Sequence, residues 1–204
     1  VKHLNDYTLI LRKYLPHEAA APIAEWIVSY GIHLKITNAR NSKLGDFRPI
    51  LGANRGHIIT INHNLNPYSF LITLVHEIAH CANWNKHQAR VSPHGNEWKT
   101  EYIRLLKQFL HPDIFPEDVL SAVKQHLTSP SSSSCSDLQL MRVLRQYDKK
   151  PSLTLESIPL HAVFKLKGNR VFRKGEKVRK NYRCFELTDN KAYWIHPLAE
   201  VELY

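Results

Sequence analysis

Two histidines four residues apart, with a glutamate beside the first, stand at His76-Glu77-Ile78-Ala79-His80. Imidazole nitrogens bind divalent metals at neutral pH, and a neighbouring carboxylate can move a proton. On a helix, positions i and i+4 lie about 40° apart around the axis and about 6 Å along it, so both imidazoles reach one point. Glu77 falls about 60° round from His80, which suits a carboxylate facing a metal-bound water rather than the metal itself. Leu71, Leu74, Ile78 and Ala82 form another stripe, predicted to pack into the core and hold the helix rigid.

Two ligands do not complete a catalytic zinc site, which uses three protein ligands and leaves one position open. An extended metzincin motif is absent: Asn83 and Lys86 stand where its glycine and third histidine belong, and His87 is one residue out of phase. Two downstream candidates remain. His94 lies in Ser92-Pro93-His94-Gly95, a turn just before the next helix. Glu97 lies in that helix's first turn, where a carboxylate is also favourable without any metal. The residues alone leave the choice open, with His94 favoured.

The stretches His76–Trp84 and Ser92-Pro93-His94-Gly95-Asn96-Glu97-Trp98-Lys99 together resemble the SprT family of zinc metalloprotease-like proteins. Ile59-Thr60-Ile61-Asn62 and Leu65-Asn66-Pro67 are similar to that family's strand and helix entry. The resemblance spans about residues 1–127 and rests on the combination, since His-Glu-x-x-His alone is shared by many families. It implies an α+β fold with a zincin-like helical core, and one Zn²⁺ held by His76, His80 and His94, with Trp98 packed behind. It also implies an endopeptidase in which Glu77 takes the proton of a metal-activated water. The related Spartan proteases cut proteins crosslinked to DNA, so a protein substrate, possibly DNA-bound, is the expected partner. Many SprT proteins end in a zinc ribbon with CxxC pairs. This chain keeps only the isolated Cys135 and Cys184 there, so a second zinc is not expected. The competing expectation is a DNA-associated binding or regulatory protein with a weakly active zinc site. Glu77 argues against a purely structural site, which has no use for a carboxylate beside an open position.

These residues need elements to position them. Helical spacing is expected over 4–15, stopped by Pro16, and over 18–30, closed by Gly31. Ile32-Leu34-Ile36 and Ile58-Ile59-Thr60-Ile61 read as strands, with turns near Gly45 and Asn54-Arg55-Gly56. Asn66 as N-cap and Pro67 at the first helical position open the metal helix, which runs to about Lys86. Further helices are predicted near 96–110, 117–127 and 137–147. The Ser-rich run 128–136 reads as a linker between a domain at 1–127 and a module at 137–204. That module is a short helix followed by strands, with turn pairs at Gly168-Asn169 and Asp189-Asn190.

Within residues 165–183, nine basic residues against one acid, Glu176, supply most of the chain's net +10. Read as strands, Lys177, Arg179 and Arg183 share one face, and Lys165 and Lys167 form a second row. With Arg173 these are the candidate phosphate contacts, and Phe172, Tyr182, Tyr193 and Trp194 are candidate stacking surfaces. The 204 residues, 43% apolar and 23% charged, exclude low-complexity and collagen-like classes. No apolar run suits a membrane span, and Val1-Lys2-His3-Leu4 does not open a secretory signal. Three scattered cysteines fit a reducing compartment, hence a cytoplasmic expectation, nucleoid-associated in a bacterium.

Overall fold

A computed structural model describes residues 4–40, 43–50, 56–130, 137–166 and 168–204. The expectations on Asn54-Arg55, Cys135, Lys167 and most of the 128–136 run lie outside these residues. The described fold is α+β, with six α-helices and two small sheets among these residues. Among the described residues, no helix is long and apolar enough to cross a membrane. The chain divides into two compact units, residues 1–149 and 150–204.

In the first unit, α1 is Leu4–Leu11 and α2 is Ala20–Ser29, entered through a 3₁₀ turn at His17–Ala19. Gly31 follows α2 at φ +63°, the left-handed turn that a glycine makes without steric cost. Strands β1 (His33–Thr37), β2 (Gly45–Arg48) and β3 (Ile58–Asn62) pair in the order β1-β3-β2. The β1–β3 pair is parallel, with Leu34 opposite Ile59. The β2–β3 pair is antiparallel, with Phe47 opposite Ile59. The turn expected at Gly45 is instead the first residue of β2. Gly-Asp-Phe-Arg carries no β-branched alternation, so the residue pattern does not announce a strand.

Helix α3, Pro67–His87, is the centre of this unit. Asn66 caps it as expected, its Oδ1 accepting from the Ser69 N–H at 2.9 Å. The expected single apolar stripe is a correction: every residue from Phe70 to Ala79 is buried, as are Cys81, Ala82 and Asn83. The strands, α1 and α2 on one hand and α4 (Asn96–Leu106) on the other enclose it with one continuous core. This middle stretch offers its polar residues little bulk water, so His76 and Glu77 depend on local partners, and His76 Nδ1 has no hydrogen-bond partner among the described residues.

The expected boundaries at 127 and 137 also need correction. Helix α6, Leu138–Arg145, belongs with the first unit, packing against α5, Glu117–His126. Leu140 and Leu144 enter the first core. Asp137 caps α6 by accepting from Gln139 and Leu140 N–H, and its other oxygen pairs with buried His126 Nδ1 at 2.8 Å. Asn66 Nδ2 donates to Leu144 O at 2.9 Å and to Asp148 at 2.6 Å, tying the start of α3 to the end of α6. Serine-rich composition at 128–136 suggested a boundary, but the apolar face of α6 determines which core it joins.

The second unit is an antiparallel sheet in the order β7-β6-β5-β4-β8. Its strands are β4 (Val163–Lys165), β5 (Val171–Val178), β6 (Asn181–Glu186), β7 (Ala192–Ile195) and β8 (Glu202–Leu203). Leu155, Phe164, Phe172, Cys184 and Ile195 are among its core residues. The expected turns at Gly168-Asn169 and Asn190 are present, each of these residues at positive φ.

Residues 1–149 are expected to fold alone with a cooperative melt, whereas 1–136 should not. Losing α6 empties two buried leucine sites, each on the scale of 2–5 kcal/mol for truncation to alanine. Circular-dichroism melts of the two fragments check this, and equal stability would contradict it.

Candidate metal centre

His76 and His80 rise from the buried middle of α3, one turn apart. His94 comes from the turn ahead of α4, where Gly95 N–H bonds back to Ser92 O at 3.0 Å. The three imidazoles converge. His80 Nε2 and His94 Nε2 lie 3.2 and 3.4 Å from His76 Nε2, and one nitrogen from each ring lies within 4.8 Å of the others. Two ligands of a tetrahedral ion with bonds of about 2.0–2.1 Å stand about 3.3–3.4 Å apart, so these spacings fit such a centre. Of the two candidates for third ligand, His94 joins the cluster. The Glu97 side chain is exposed and turned toward Gly95.

Trp98, fully buried on α4, backs all three rings. It stacks on His80 at 5.2 Å and meets His76 at 4.6 Å and His94 at 4.8 Å. Phe47 of β2 stacks on the other side of His80, at 6.3 Å and 10°. Burial holds the His76 pKa down near 2, with His80 and His94 adding repulsion. Burial, then His94, lowers His80 to about 4. His94 is lowered by burial as well. All three are neutral at pH 7 and offer lone pairs, the state a metal requires. Three close imidazoles with suppressed basicity are therefore a donor set that could hold a metal ion.

Glu77 is 7% exposed and projects toward β2, not into the ring cluster. The Phe47 backbone N–H donates to its carboxylate. Burial and the nearby Asp46 charge raise its pKa to about 8 against opposing Lys43, Arg40 and that N–H. Gly45 makes this approach possible: a Cβ there would stand 2.6 Å from Glu77 Oε1 and 2.9 Å from Thr73 Cγ2. Strand β2 is thus the site component that residue types did not reveal. Its only sequence signal was a glycine, which reads equally as a turn. A cleft of about 430 Å³ opens beside the rings, with Glu77 and His80 in its wall.

The basic segment of the second unit departs from its expected pattern. A bulge between Lys174 and Lys177 shifts the register, so Lys177 pairs with Tyr182, on the face opposite Arg183. Gly175 permits the bulge, since a Cβ there would lie 2.1 Å from Arg183 O. Arg179 is not on a strand face but in a two-residue turn, at φ +56°. Lys165 pairs opposite Glu202, Arg170 forks onto Glu186 at 2.8 and 2.6 Å, and buried Lys174 donates to Ile158 O at 2.6 Å. Phe172, Tyr182 and Tyr193 turn toward the small core. What remains together is Arg173, Arg183 and Trp194 on one exposed face, Trp194 opposite Arg183.

No family model, curated protein or solved structure matches this chain.

The raised Glu77 pKa makes metal-free stability fall as pH climbs from 4.5 to about 8, because the folded state keeps a proton that the unfolded chain releases. Glu77→Gln should therefore raise the chelated protein's melting temperature at pH 8 by about 5 °C and leave it unchanged near pH 4.5. Parallel melting-temperature profiles for mutant and wild type between these pH values would contradict this.

Proposed function

We propose that this chain is a zinc-dependent endopeptidase of the SprT-like type, with α3 and its three-stranded sheet as a zincin-like core. The observation that carries the reading is the convergence of His76, His80 and His94 beside a cleft walled by Glu77. A site that only stabilised the fold would gain nothing from a buried carboxylate at a cleft, where burial and Asp46 both penalise its charge. The motif resemblance supports the same assignment.

Zinc bound by the three imidazoles would supply Lewis-acid activation of water and of the scissile carbonyl. The chain's own residues do the rest. Trp98 and Phe47 fix the His80 ring between two aromatic planes, and Trp98 limits the rotation of His76 and His94. The Phe47 N–H fixes the Glu77 carboxylate. With a divalent cation held by the three imidazoles, Glu77, whose pKa burial raises to about 8, would ionise more readily and could act as a base at neutral pH. Glu77 then accepts a proton from the attacking water and returns it to the leaving amine nitrogen.

Association with DNA belongs to the same proposal, resting on Arg173, Arg183 and the 60%-exposed Trp194 on one sheet face. Arginine neutralises phosphate and an open indole stacks on bases. A reducing, cytoplasmic setting accords with Cys81 and Cys184, which are free and buried.

Glu77→Gln should retain one zinc per chain and lose about 10²–10⁴-fold in cleavage of an unfolded protein. Metal content and cleavage, each with and without DNA, are the measurements, and undiminished cleavage would remove Glu77 from the mechanism. Arg173→Ala with Arg183→Ala should flatten the slope of log K against log[salt] for duplex DNA by about 1–2 units, at about 0.9 per phosphate contact. An unchanged slope would leave the sheet face without a phosphate role.

A further inference from the structure

Two buried polar atoms at the metal centre, His76 Nδ1 and Trp98 Nε1, have no hydrogen-bond partner among the described residues. A ligand imidazole ordinarily donates its second N–H to a carboxylate or carbonyl, and that bond sets the orientation of the ring. His76 has no such bond, so its orientation rests on the rings around it. Beyond the other two histidines these are Trp98, at 4.6 Å, and Tyr102, edge-on at 5.6 Å and 69°. Trp98, whose indole N–H is also unbonded, is placed in turn by stacking on Tyr102 at 5.0 Å and 11°. Tyr102 is the member of this stack with a polar anchor. Its hydroxyl lies 3.4 Å from His126 Nε2, and His126 Nδ1 lies 2.8 Å from Asp137 Oδ2. Tyr102 and the His126 side chain are fully buried.

The directions of these bonds follow from the groups themselves. Burial, then Asp137, holds the Tyr102 phenol protonated, so its O–H donates and His126 Nε2 accepts. The imidazole proton then sits on Nδ1 and is donated to the Asp137 carboxylate, whose other oxygen caps α6. Neither the hydroxyl nor the imidazole is needed to fill space, since phenylalanine and leucine pack in a core at less cost in desolvation. What hydrogen bonds add is direction: they fix the angle of a ring that apolar packing alone leaves free to slide. We infer that Asp137, His126 and Tyr102 are positioning residues of the metal centre, their hydrogen-bond chain holding the aromatic stack that orients His76. The inference rests on the reading of the three histidines as a zinc site, and on no reaction there.

The test measures zinc affinity of the full chain at pH 7 by competition with a chromophoric chelator, beside the melting temperature of the zinc-free chain. Tyr102→Phe keeps the ring and removes the hydroxyl. Asp137→Ser keeps a helix-capping side chain and removes the partner of His126. Each should weaken zinc binding about tenfold. The double variant should weaken it no further, because either change breaks the same chain. Leu140→Ala, which loosens α6 without touching the chain, should lower the melting temperature and leave zinc affinity within about twofold. Unchanged affinity in either single variant would overturn the inference. So would an equal loss in Leu140→Ala, which would show fold stability alone at work, or losses that multiply in the double variant, which would show residues acting separately. Wild type that takes up no zinc would remove the metal centre and the inference with it. Zinc uptake indifferent to Tyr102→Phe would keep the centre and remove the inference alone.

Discussion

Three imidazole nitrogens with spacings of 3.2 and 3.4 Å cannot all carry protons inside a protein, and the first unit is built around that constraint. The rings must be neutral, so their surroundings must penalise charge, and aromatic and aliphatic neighbours do this. The 21-residue α3 supplies two rings from its largely buried middle, and Trp98 packs against the third. The same dryness acts in the opposite sense on Glu77, raising its pKa where it lowers those of the histidines. One environment thus keeps the three imidazoles neutral and the carboxylate protonated.

The legible part of the site was the part that depends on a single helix. His76, Glu77 and His80 share one segment, and helical geometry converts their spacing directly into proximity. Asn66-Pro67 likewise specifies the start of α3 through local hydrogen bonding and a fixed φ. His94 was different: its approach depends on how α4 packs on α3, so residue types favoured it without excluding Glu97, and the motif resemblance implied His94. Strand β2 was hidden because its role is relational. Gly45 matters through the space it leaves for Glu77, and Phe47 through a backbone N–H that any residue but proline could supply.

The second unit shows where period-two reasoning fails. Alternation placed Lys177, Arg179 and Arg183 on one face, which holds only in an uninterrupted strand. A bulge at Gly175 and a turn at Arg179 reverse the parity twice within a few residues. Net charge was legible, but its distribution over two faces, a turn and the Arg170–Glu186 ion pair was not. In the same way, Leu140 and Leu144 carried α6 across a boundary that serine-rich composition suggested, because burial and not flexibility decides which core a helix joins.

The central claim is a zinc site of three histidines with one position open to chemistry, and X-ray absorption on the zinc-loaded chain tests it most directly. The account predicts a four-coordinate ion with three imidazole nitrogens and one further oxygen near 2.0–2.1 Å, falling to two imidazoles in His94→Ala. A sulfur shell near 2.3 Å, or an imidazole count that His94→Ala does not alter, would contradict it.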